Sequence, residues 1–68
     1  MNNDTFNISI RQFLKMVGVK SQHEIEQAVT QAIANGHLKG NENLPVKMTL
    51  TIGPAHLNVS FDGIIALD

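Results

Sequence analysis

The sequence predicts an α+β domain of order ααβββ, with two N-terminal helices forming a helical hairpin packed on one face of a three-stranded antiparallel β-meander. Three observations predict it. Phe6, Ile10, Phe13, Leu14 and Val17 recur at spacings of three and four, as do Ile25, Ala28, Val29, Ala32 and Ile33. Near residue 40 the period changes to two, and Val46, Met48, Leu50 and Ile52 alternate with Lys47, Thr49 and Thr51. Glycine and Asx punctuation falls between these runs, at Gly18, Asn35-Gly36, Gly53-Pro54 and Asp62-Gly63.

The first helix is expected to start near Asp4 or Thr5, whose side-chain oxygens can accept from free first-turn N–H groups, and to stop at Gly18. Its polar face carries Asn7, Arg11, Gln12 and Lys15, with the basic residues toward the C-terminal half, where they complement the helix dipole. Ser21-Gln22-His23-Glu24 reads as a capping box: the Ser21 hydroxyl accepts from the Glu24 N–H, and the Glu24 carboxylate accepts from the Ser21 N–H. A second helix is predicted from there to Asn35-Gly36, with Gly36 as the left-handed stop and Leu38 placed for the apolar contact that follows such a stop.

His37 to Pro45 is polar and forms the longest connection. Pro45 keeps Leu44 out of the helical region and presets an extended entry. Strand one is predicted from Val46 to Ile52. After the Gly53-Pro54 turn, strand two runs to about Phe61, so that Met48, Leu50 and Ile52 share a face with Leu57, Val59 and Phe61. Asp62-Gly63 is a hairpin signal and predicts a third strand, Ile64 to Leu67. A two-residue turn there puts Ile64 and Ala66 on the core face. A three-residue loop with a Gly63 bulge puts Ile65 and Leu67 there and buries more apolar carbon.

With 68 residues the chain accommodates one domain, residues 1–68, and a domain of about 60 residues buries only ~60% of the surface its unfolded chain exposes. No cysteine is present, so neither disulfides nor thiolate-bound metal can reinforce so small a core, which raises the expectation of self-association. A formal charge of −1 marks neither a basic arm nor an acidic tail. The polar start Met1-Asn2-Asn3-Asp4 has no signal-peptide pattern, and the longest apolar run, Ile64-Ile65-Ala66-Leu67, is far below the ~20 residues of a membrane span, so a cytoplasmic protein with no membrane partner is expected.

The segments Asp4-Thr5-Phe6-Asn7, Ser9-Ile10-Arg11, Phe13-Leu14-Lys15 and Val17-Gly18-Val19, followed by Ser21-Gln22 and Glu24-Ile25-Glu26, resemble a small proteobacterial family of short stand-alone proteins whose domain is of unknown function. The resemblance covers the chain, including Leu38-Lys39-Gly40-Asn41-Glu42, and is most specific over the first 26 residues. It implies a bacterial, cytoplasmic, single-domain protein and brings no activity, cofactor or site residue with it.

Helix, turn, helix and hairpin suggest a winged helix-turn-helix, with Gly18-Val19-Lys20 as the turn, and hence a nucleic-acid-binding regulator as the alternative function. Charge weighs against it: Gln22 to Asn35 contains Glu24 and Glu26 and no Lys or Arg, although a reading helix must approach phosphate. His23, His37 and His56 have no compact ligand spacing, and Ser9, Ser21 and Ser60 have no evident base, so neither a metal, a cofactor nor an enzyme is expected. The polar loop bearing His37, Lys39, Asn41 and Glu42 is the candidate recognition loop.

The function expected is therefore a non-catalytic protein-interaction module whose partner is itself or another protein. Ile64, Ile65 and Leu67 form the candidate homodimer interface, because an apolar terminal strand at the edge of a meander lacks the charges, prolines or bulges that usually protect edges.

Overall fold

A computed structural model describes all 68 residues, Met1–Asp68. The chain divides into two compact units, Met1–His37 and Leu38–Asp68. The first is a single helix, α1 (Asn3–Ala34), and the second is a hairpin of β1 (Asn43–Ile52) and β2 (Leu57–Ala66) joined by a 3-10 turn, Gly53–Ala55. The predicted ααβββ order is corrected on two counts: two helices are one, and three strands are two.

Helix α1 begins at an Asn2 cap, whose Oδ1 accepts from the Thr5 N–H at 3.0 Å, with Asp4 in the first turn where its charge suits the positive end of the dipole. The helix does not stop at Gly18. Glycine costs a helix interior only about 1 kcal/mol relative to alanine, whereas a break there would free several backbone carbonyls and N–H groups at once. Nothing lies within 4 Å of where a Gly18 Cβ would be, and its φ is not positive. The Ser21 and Glu24 backbone N–H groups are consequently held by the helix itself, and the capping box does not form. At the far end Gly36 takes φ +80, with its N–H donating to the Ile33 carbonyl at 3.1 Å and the His37 N–H donating to Ala32 at 2.8 Å. This 6→1, 5→2 pair is the glycine-terminated stop, and it satisfies carbonyls that would otherwise be left without partners.

Strand β1 starts at Asn43, two residues ahead of Pro45, rather than at Val46. Proline is tolerated because both strands of a two-stranded sheet are edges. That earlier start removes the predicted turn at Asp62-Gly63, since β2 finds partners all the way through it: Lys47 opposite Asp62, Val46 opposite Gly63, Pro45 opposite Ile64 and Leu44 opposite Ile65. Ile64 to Leu67 is therefore no separate third strand; Ile64, Ile65 and Ala66 end β2, and the Leu67 N–H donates to the Glu42 carbonyl at 3.0 Å just beyond it. Of the predicted register, the pairing of Met48, Leu50 and Ile52 with Phe61, Val59 and Leu57 is present as expected. Gly53 to His56 form a four-residue connection, with the His56 N–H donating to the Gly53 carbonyl at 3.0 Å and His56 itself left-handed at φ 53.

Candidate functional site

The alternation of β1 and β2 sorts the hairpin into two unlike faces. One carries Leu44, Val46, Met48, Leu50 and Ile52 against Ile65, Gly63, Phe61, Val59 and Leu57 and has no polar side chain. The other carries Lys47 opposite Asp62, Thr49 opposite Ser60 with their hydroxyls 3.0 Å apart, and Thr51 opposite Asn58. Only Pro45, Ile64 and Ala66 interrupt that polar face, and Ile64 is 74% exposed on it.

Helix α1 is sorted less cleanly. Phe6, Ile10, Phe13, Leu14 and Val17 continue into Ser21, Ile25, Ala28 and Ala32 at spacings of three and four, a stripe about 48 Å long at ~1.5 Å per residue, but Ile8, Met16 and Val19 lie off it and are exposed. His23, Glu26, Gln27, Thr30, Gln31 and Ala34 line a shallow open groove on the other side of its C-terminal half. No residue in either unit is buried: Phe6 and Phe13 are each 49% exposed and Phe61 is 57% exposed.

The loop singled out in the sequence is organised around Glu42 rather than around a ligand space. Its carboxylate accepts from the Lys39 N–H at 2.8 Å, the Gly40 N–H at 3.0 Å and the Asn41 N–H at 3.2 Å. The Lys39 bond, above all, holds the Glu42 pKa below its ordinary value; partial desolvation opposes this, and the Gly40 and Asn41 bonds add to it. Gly40 takes φ +100, which lets three successive amides converge on one carboxylate. A nest of this kind would suit an anion, and here the chain fills it with its own side chain. Sequence reasoning named these residues without finding their arrangement, which depends on a glycine two residues before an acidic one.

The histidines are not brought together. His23 is on α1, His37 follows the helix stop and His56 sits at the hairpin connection. No group of three or more His, Cys, Asp or Glu is placed to hold a metal ion. Nor is any helix long and apolar enough to cross a membrane. The helix-turn-helix shape goes with the Gly18 break, because the proposed turn and reading helix are parts of one continuous α1.

Fold and surfaces together define a small α+β protein built of one long helix and one amphipathic hairpin, with its candidate functional surfaces on the apolar stripe of the helix and the apolar face of the hairpin. The chain belongs to a family of unknown function, DUF6494, whose match extends over residues 1–68. Among curated proteins and solved structures, none matches the chain.

Proposed function

We propose that this protein is a non-catalytic interaction module that self-associates as a homodimer, its apolar helix stripe and hairpin face covered in the process. The observation that carries this reading is that neither unit by itself buries a residue, although one has an apolar stripe along α1 and the other an apolar sheet face. Neither element is stable on that basis alone. Most helical stability in proteins comes from packing an apolar face, and a two-stranded hairpin is marginal at best in water.

Of the three C-terminal residues singled out in the sequence, Ile65 is half-buried on the apolar face, Leu67 is half-buried just past the strand, and Ile64 lies on the opposite face. The face of the hairpin, rather than a separate edge strand, is the surface this reading assigns.

Sedimentation or light scattering over a range of concentrations tests it. The expected result is a species of twice the chain mass whose population falls on dilution together with helical circular dichroism. A folded monomer at every concentration would overturn the proposal.

A further inference from the structure

Resting on the self-association just proposed, we infer that the two copies join through the outer edges of their β2 strands, antiparallel about a two-fold axis at Phe61, so that two hairpins make one four-stranded sheet. The hydrogen bonds of the hairpin determine which backbone groups are left over. The Leu67 N–H donates to the Glu42 carbonyl, one step beyond the pair of Asn43 and Ala66. Antiparallel pairs alternate between bonded and non-bonded, so the bonded ones continue as Leu44 with Ile65, Val46 with Gly63 and on to Ile52 with Leu57. The residues between them turn their N–H and C=O groups away from the hairpin.

On β1 that outward set is guarded. It includes Pro45, which has no N–H to offer, and Lys47, two of the usual devices against strand pairing. On β2 it consists of Asn58, Ser60, Asp62, Ile64 and Ala66, with no proline and with a register to β1 unbroken by any bulge. A two-stranded sheet leaves this edge without a strand beside it. Main-chain pairing across such an edge is a common mode of recognition, and a two-fold axis lets one strand serve as its own partner.

Side chains select the register, and with it a second copy rather than a foreign strand. Centred on Phe61, pairing runs from Leu57 to Ile65 in each chain. On the apolar face Phe61 meets the partner's Phe61, Leu57 the partner's Ile65, and Val59 the partner's Gly63. These are non-bonded pairs, in which side chains approach most closely, and Phe61 has surface to contribute, being 57% exposed although it already faces Met48. On the polar face Ser60 meets the partner's Asp62. The Ser60 hydroxyl is 3.0 Å from that of Thr49; with Thr49 donating to it, its own proton is directed at the partner's carboxylate. Symmetry forms that contact twice. Moving the axis to Asp62 keeps the length of pairing but sets two carboxylates opposite one another, and moving it to Ser60 leaves Ile65 beyond the paired segment. In the Phe61 register the apolar faces of both hairpins become one continuous face.

Isotope-filtered NMR on mixed labelled and unlabelled chains tests this without altering a residue, with the mass measured in the same sample. Expected is a dimer with intermolecular Hα–Hα cross-peaks from Val59 to the partner's Gly63 and from Leu57 to the partner's Ile65, since opposed Cα atoms of non-bonded pairs lie ~4.5 Å apart. A dimer without these cross-peaks, whether it pairs through β1 or packs sheet on sheet ~10 Å apart, would overturn the β2 edge while leaving self-association standing. A chain that is monomeric even at the concentration used for NMR would overturn both.

Discussion

At the scale of single residues, two side chains set the backbone against its ordinary preferences. Glu42 gathers three amides onto one carboxylate, and its pKa is held down chiefly by the Lys39 N–H. A depressed folded-state pKa stabilises the loop fully above the unfolded glutamate value of about 4.3, and that stabilisation is lost as pH falls through the lower folded value. A carboxyl-carbon titration by NMR should therefore find Glu42 ionising below an ordinary glutamate. In Glu42→Gln the Lys39 and Gly40 amides are expected to exchange with solvent several-fold faster at neutral pH, with the difference shrinking in acid. An unchanged exchange rate would mean that the nest holds without its charge.

His56 is the one non-glycine residue with positive φ. A left-handed conformation costs a side chain with a Cβ roughly 1–2 kcal/mol, and the extra unfolded-state freedom of glycine offsets part of the gain on replacing it. His56→Gly is thus expected to raise stability by about 0.5–1 kcal/mol in denaturant titrations, while alanine there gives no gain. A destabilised glycine variant would show that the imidazole contributes something beyond its backbone.

At the scale of elements, Gly18 separates the two ways of reading the N-terminal half. Inside a continuous helix with open space around its Cβ position, Gly18→Ala should add about 1 kcal/mol of stability per chain and increase helical ellipticity; at a left-handed stop it would cost at least as much. The hairpin offers a matched pair. Ile65→Lys puts a charge on the apolar face and should weaken association about 100-fold: Ile65 is already half-buried in its own hairpin, so each of the two chains loses roughly half of the 2–3 kcal/mol of a fully buried aliphatic side chain. Ile64→Lys, one residue away on the polar face, should leave the dissociation constant within about threefold, as exposed substitutions do. Equal effects at the two positions would contradict the assignment of faces.

These same elements show what was legible in the sequence. The strands from Val46 to Phe61 were readable because alternation and the Gly53-Pro54 turn agree, and Gly36 as a helix end because the apolar spacing also stops there. The break at Gly18 was misread because two local signals, a glycine and the Ser21-to-Glu24 box, each have a value of about 1 kcal/mol, and the apolar spacing that runs unbroken beneath them outweighs both. Asp62-Gly63 misled for another reason. Pro45 drew the start of β1 too late, which left the end of β2 without a strand to pair with and made a turn look necessary. The Glu42 nest left only a faint trace, Gly40 two residues before Glu42, since that pair permits the backbone angles by which three amides converge on one carboxylate without dictating them.

At the scale of the whole molecule, association and folding share one readout: helical circular dichroism should fall on dilution together with the dimer population, and helicity independent of concentration would contradict the proposed assembly.

That no side chain is buried within either unit has a kinetic corollary under the proposed assembly. If the first apolar contact of any depth is made only between two molecules, the rate-limiting step toward the native state is second order, and the refolding half-time halves with each doubling of chain concentration. Native protein would then accumulate as the square of the chain supplied at low abundance, and a twofold drop in synthesis would remove nearly three quarters of it. The abundance of this protein would thereby act as a threshold on its own existence.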